Sequence, residues 1–143
     1  KLVYFSTCYV YDGIKGKHKE SEGLNPINNY ALSKMGGECS VRMYPNSLVL
    51  RIQMIEKPFP YKKAYSNLYS NYIFHEDIAK VLPKLINKNG IINVGGKSQS
   101  TYNFVKQHNK HIIKTTVNDK KTPLNQTMNL DKLKKILKKD INS

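Results

Sequence analysis

At 143 residues the chain is the size of one domain, large enough to bury a core and too short to build two full ones. Its formal charge of +14 is uneven, about +2 over residues 1–56 and +12 over 57–143, yet only Arg42 and Arg51 are Arg, the residue that base readout and bidentate phosphate contacts favour. The charge therefore reads as a solvated basic surface and disfavours a nucleic-acid partner, and no apolar run approaches the roughly 18 residues that would span a membrane.

The chain opens on Lys1, not Met, and runs at once into "LVYFS" (2–6), a β-branched and aromatic stretch expected to be a buried strand with neighbours on both sides. Such a start reads as the middle of a larger protein. A polar, glycine-marked loop follows, and then "NNYALSKMGGECSVRMY" predicts a helix from Asn28 or Asn29 to about Tyr44, with an Asn cap and Pro45 as the stop. Its Gly36-Gly37 pair costs helix stability and suggests the close approach of another backbone. Next, "SLVLRIQ" (47–53) is a second buried strand, so that strand, helix and strand form a βαβ unit with a parallel sheet.

Residues 54–71 read as irregular and aromatic. Beyond them lie a short strand "YIF", a helix over 76–88, a strand "IINV", a helix over 100–108 and a strand near 111–117. A Lys-rich amphipathic helix over 129–139 closes the series. The class is α/β, divided at residues 1–56 and 57–143. The two cysteines, Cys8 and Cys39, are too few for a disulfide framework, suit a reducing cytoplasm and do not resemble zinc ligands; no metal is expected.

Three Tyr/Lys pairs have a four-residue spacing, Tyr11/Lys15, Tyr30/Lys34 and Tyr102/Lys106, where about one or two are expected from composition alone, so context must choose among them. Residues four apart share a face only on a helix. Tyr11/Lys15 crosses a glycine turn, and Tyr102 and Val105 are core-facing positions of their helix. Tyr30/Lys34 opens a helix soon after a strand that ends in two hydroxyls, Ser6 and Thr7. That trio suits carbonyl reduction or its reverse: a phenol is a poor proton donor or acceptor near neutrality, a nearby cation favours its ionised form, and a hydroxyl can hold the same substrate oxygen against it. The hydride must come from a cofactor.

"STCYVYDG", Glu20, "NPINNYALSKMGGE" and "SLVLRI" resemble the extended short-chain dehydrogenase/reductases, most closely their dTDP-4-dehydrorhamnose reductase branch. "YIFHEDIAKVL", "GIINVGGKSQSTYNFVK" and "TMNLDKLKKIL" extend the likeness over nearly the whole chain. The resemblance implies the C-terminal part of a Rossmann-type parallel sheet with a small substrate-binding portion, and the reduction of a nucleotide-linked 4-keto-6-deoxy sugar by NADPH or NADH. It implies Thr7, Tyr30 and Lys34 as catalytic residues, with Thr7 the hydroxyl partner, Tyr30 the acid and Lys34 the residue that tunes Tyr30 and holds the nicotinamide ribose. Ser6 and Gln53 join Tyr30 and Lys34 on the cofactor side; Cys8 and Tyr9 join Thr7 and Tyr30 on the substrate side. A homodimer and a cytoplasmic location go with it.

Two departures stand beside the likeness. No GxGxxG or GxxGxxG occurs in the chain, and the family order places four strands before "LVYFS", so a missing N-terminal segment of the same protein is expected to carry the cofactor end. Cys8 stands where that branch often has Asp, and "RIQMIEKP" replaces the usual residues after the strand. A sugar-nucleotide epimerase or dehydratase, or a non-catalytic relative lacking the cofactor half, are the alternatives. "GIINVGGKS" fails the phosphate-loop pattern because the first required Gly falls on Ile91. "HEDIAK" is read as a helix start with acidic residues serving the dipole, and the aromatic stretch from Phe59 to Tyr72 as a loop over a sugar-nucleotide pocket.

Overall fold

A computed structural model describes residues 1–139. Its centre is the apolar run expected as the second strand. β1 (Leu2–Thr7) and β2 (Ser47–Ile55) pair in parallel from Leu2 against Ser47 to Thr7 against Ile52, and α1 (Asn29–Arg42) crosses between them. Asn28 caps α1, its Oδ1 accepting from the Ala31 N–H at 2.8 Å.

The middle segment holds more structure than its composition suggests. β3 (Lys63–Tyr65), β4 (Tyr69–Ser70) and β5 (Tyr72–Phe74) lie in or just beyond the stretch read as irregular. Then come α2 (His75–Leu85), β6 (Gly90–Val94), β7 (Gln99–Ser100), α3 (Thr101–Lys106), β8 (Ile113–Thr115) and α4 (Asp131–Lys139). β6 pairs with β2 over Leu48–Ile52 and β5 continues along Gln53–Ile55, both parallel. β3 and β8 form a parallel pair and β4 and β7 an antiparallel one. The helices expected over 76–88 and 100–108 are each shorter than read, because Ile86 and Gln107 close them as C-caps, and the strand expected over 111–117 keeps only three residues.

Side chains of β2 alternate between two covered faces, the pattern of a parallel strand buried on both sides. Leu48, Leu50 and Ile52 join Ile78, Leu85, Ile92, Val94 and Leu133 in the core beneath α2 and α4, while Arg51 points toward α1, where it meets Glu38. A second core of Ile55, Ala64, Tyr72, Phe74, Phe104, Val105 and Ile112 supports the smaller strand pairs. The sheet thus draws β5 and β6 from beyond residue 56 onto β2. Among the described residues β1 pairs only with β2, so the second neighbour expected for β1 does not come from this segment.

The glycine pair of α1 behaves unlike the expectation. A Cβ at Gly37 would overlap the phenol of Tyr4, a side chain and not a backbone, whereas Gly36 faces open space. No described helix is long and apolar enough to cross a membrane.

Candidate functional site

Parallel strands present their carboxyl ends to one side, and ligands gather there. β1 ends at Ser6 and Thr7 and turns into a single 3-10 turn, Cys8–Val10, whose first N–H groups need a cap; Thr7 supplies it, Oγ1 accepting from the Tyr9 N–H at 3.3 Å. The Thr7 hydroxyl proton therefore remains available for another acceptor. Ser6 is 4% exposed, and its Oγ is buried with no hydrogen-bond partner.

Tyr30 and Lys34 stand on the first turns of α1, one turn apart. Tyr30 is 56% exposed. The Lys34 ammonium lies over the ring of Tyr4, 4.7 Å from its centroid, and the Tyr4 hydroxyl donates to the Lys34 carbonyl at 3.3 Å. Burial, and then the Glu38 carboxylate, push the Tyr4 phenol up, so it remains a neutral donor in that bond. Gly37 makes room for this ring, which gives the glycine a role in placing Lys34. Thr7, Tyr30 and Lys34 share no hydrogen bond with one another, and the Lys34 cation is directed by Tyr4.

A cleft of about 900 Å³ opens at the carboxyl end of β2, and its lining includes Tyr9 and Gln53 but not Thr7, Tyr30 or Lys34. Tyr9, Gln53 and Tyr72 line it together with Glu56, Phe59, Tyr61, Lys62, Lys63 and Tyr65, residues of the aromatic stretch expected to lie over such a pocket. Burial pushes the Tyr9 phenol up to about 12, with Cys8 and Tyr30 adding to the rise. Burial likewise pushes the Tyr72 phenol up, and its hydroxyl is 2.6 Å from Thr101 Oγ1. Cys8 is fully buried; its Sγ donates to Gln53 Oε1 at 3.0 Å, and burial holds the thiol up at about 12. The residues assigned by sequence to the substrate side (Cys8) and the cofactor side (Gln53) are thus in direct contact.

Sequence reading missed the polar core beneath the site. Arg51, 1% exposed, makes a bidentate pair with Glu38, 0% exposed: Nε donates to Oε1 at 2.9 Å and Nη2 to Oε2 at 2.7 Å. Nη1 donates to the Tyr11 hydroxyl at 2.8 Å, which donates to Asn93 Oδ1 at 2.8 Å. Asn93 Nδ2 in turn donates to the His18 carbonyl at 2.9 Å, and the His18 ring stacks on Tyr11 with centroids 4.8 Å apart. The network ties α1 to β2, β6 and the loop after β1, so it positions both the Tyr30 helix and the Thr7 strand end. A lone Arg inside an otherwise apolar strand was the available signal, since a buried guanidinium demands a buried acid.

The sequence resemblance implies a nicotinamide cofactor. An orphaned Ser6 hydroxyl, an uncapped phenol at Tyr30 and a lysine on the same helix face fit its ribose and carboxamide end; a glycine-rich turn for its pyrophosphate is not in this sequence.

Residues 1–68 match the family model described as the RmlD substrate binding domain. A 55-residue segment is 40% identical to methionine adenosyltransferase 2 subunit beta of Danio rerio, covering 38% of this chain and 17% of that protein. Among solved structures, a hypothetical dTDP-4-dehydrorhamnose reductase from Sulfolobus tokodaii superposes with a TM-score of 0.76 at 25% identity, over 94% of this chain and 57% of that one. The dTDP-4-dehydrorhamnose reductase of Bacillus anthracis, solved in complex with NADP, gives 0.78 at 20%, over 94% and 58%. The chain therefore spans somewhat more than half the length of these two solved chains. Residues 1–68, just under half of the chain, thus resemble the RmlD substrate binding domain, and nearly all of the chain shares its fold with a part of these reductases.

Proposed function

We propose that the protein, in a form that includes the cofactor-binding segment, reduces a nucleotide-linked 4-keto-6-deoxy sugar with NADPH or NADH in the cytoplasm. What supports this reading is that Thr7 ends β1 and that Tyr30 and Lys34 stand one turn apart at the start of α1, with a cleft of aromatic and lysine side chains at the carboxyl end of β2.

The bound nicotinamide would supply the hydride to the sugar carbonyl carbon. As the C=O bond becomes an alcohol, its oxygen gains negative charge and takes the phenolic proton of Tyr30. Thr7 would offer its O–H to the same oxygen while its Oγ1 accepts from the Tyr9 N–H. Lys34, steadied over Tyr4, would offer its N–H donors to the ribose. The aromatic walls would stack the base, and Lys62 and Lys63 would face the diphosphate.

Replacing Tyr30 with Phe should lower kcat at least about 100-fold, the usual scale of a lost acid, with the fold unchanged by circular dichroism. Undiminished turnover in Tyr30→Phe would overturn the assignment. A second reading is favoured by the name of the Danio rerio relative, a subunit of an enzyme of another class: a non-catalytic subunit that keeps the fold. It requires that the longest natural form of the protein binds no nicotinamide cofactor, which a fluorescence titration with NADPH decides.

A further inference from the structure

Gln53 ends the Arg51–Ile52–Gln53 run of β2 and faces the cleft, and its orientation there is fixed by a neighbour. Cys8 has no water around it, and its thiol, held up at about 12 by burial, stays S–H at every working pH. An S–H has one proton to give. Gln53 Oε1 at 3.0 Å is nearer than Ser70 Oγ at 3.8 Å and is the better acceptor; the Thr7 hydroxyl is also within reach of the sulfur. Where Ser70 donates to the sulfur, the S–H proton is still left for Gln53. The carboxamide oxygen of Gln53 therefore turns to Cys8, and the NH2 group turns away.

Among the described residues the two N–H donors of that group have no protein acceptor, although an amide nitrogen left in a site closed by a ligand must find one. The cleft also carries Tyr9, another neutral donor, and Tyr72, whose hydroxyl is engaged with Thr101. The lysines of the cleft, Lys62 and Lys63, belong to the β3 side. The cleft thus carries the neutral polar groups of Tyr9, Gln53 and Tyr72 together with the charged groups of Glu56, Lys62 and Lys63.

We propose that Gln53 is a specificity-determining residue: its NH2 group, held toward the cleft by Cys8, receives an uncharged acceptor oxygen, a carbonyl or hydroxyl, of the sugar. This rests on the nucleotide-sugar reading of the cleft and adds to it which end of the ligand lies against β2. Cys8 acts through Gln53 as a positioning residue and touches no ligand atom.

The test is calorimetric titration of the longest natural form of the protein with three probes, dTDP, dTDP-glucose and NADPH. Gln53→Met, which keeps length and removes both donors, should weaken dTDP-glucose about tenfold, the scale of one well-made hydrogen bond, and leave dTDP unchanged. Cys8→Ala frees the amide to rotate and should weaken dTDP-glucose about threefold; Cys8→Ser, whose hydroxyl donates in place of the thiol, should recover it. Gln53→Glu, of equal size and polarity, gives the same reading should Gln53→Met fail to fold, and should lose at least as much, because a carboxylate repels an acceptor. Equal losses for dTDP and dTDP-glucose, a loss confined to NADPH, or no loss in Cys8→Ala would overturn the proposal. If neither dTDP nor dTDP-glucose binds the unaltered protein, the nucleotide-sugar reading itself fails and takes the proposal with it.

Discussion

Replacing Glu38 with Gln changes almost no volume and removes one charge from a pair that has no access to water. Glu38 is 0% and Arg51 1% exposed, and the guanidinium makes two charge-assisted bonds to the carboxylate, at 2.9 and 2.7 Å. A carboxamide can accept only one of them, and its NH2 would face a guanidinium N–H. The Arg51 cation would then be buried with Tyr11 as its main remaining partner. Breaking such a pair from one side costs about 3–5 kcal/mol, a large part of the roughly 5–15 kcal/mol that holds a domain folded. At about 3 °C per kcal/mol for a chain of this size, the melting temperature should fall by about 9–15 °C, measured by circular dichroism in the longest natural form. Removing both charges with Glu38→Leu and Arg51→Met should cost less than Glu38→Gln alone, since no buried ion is then left unpaired. A loss below about 1 kcal/mol in Glu38→Gln would refute the reasoning, and with it the claim that this network holds α1 against β2.

Other outcomes follow from single contacts. Gly36→Ala should stabilise by about 0.5–1 kcal/mol through helix propensity, because that position faces open space, while Gly37→Ala should destabilise by displacing Tyr4; equal effects in thermal melts would contradict the packing. In the native protein a thiol reagent should label Cys39, which is exposed, and leave the buried Cys8 unmodified until the chain unfolds. Mass spectrometry of the labelled protein decides it. Desolvation opposes the ionisation of Glu22, but the hydrogen bond from His18, the Lys19 N–H and the charges of His18 and Lys15 outweigh it, so its carboxyl is held below the ordinary value of 4.5. A lowered carboxyl stabilises above the unfolded value and loses that contribution as pH falls through the folded one. The stability difference between the protein and Glu22→Gln should therefore be small and present at pH 7, the side chain being partly exposed, and should vanish well below pH 4.5.

The parts of the fold that could be read from sequence are those whose own residues decide them. β1, β2 and α1 are bounded by turn chemistry, an Asn cap and a proline, and their burial pattern is continuous or periodic enough to identify. β3, β4 and β7 are two or three residues long and exist because distant partners supply their hydrogen bonds, as when Lys63–Tyr65 meets Ile113–Thr115; nothing local announces them. The site divides the same way. Tyr30 and Lys34 are neighbours on a helix, so spacing reveals them. The pairing of Cys8 with Gln53 spans 45 positions and that of Tyr4 with Lys34 spans 30, and such contacts are made by the sheet. Gly36-Gly37 was recognised as a close approach, but the approaching group is the Tyr4 side chain, which the sequence leaves unspecified.

The central claim is that a hydride passes from the cofactor to the sugar and stays there. The most direct measurement supplies NADPH deuterated at the transferred position of the nicotinamide, with a dTDP-linked 4-keto-6-deoxy sugar, to the longest natural form of the protein, and examines the product by mass spectrometry and NMR. One deuterium at C4 of the sugar is the result this account predicts. An epimerised or dehydrated product without the label, or unchanged sugar beside intact cofactor, would contradict it.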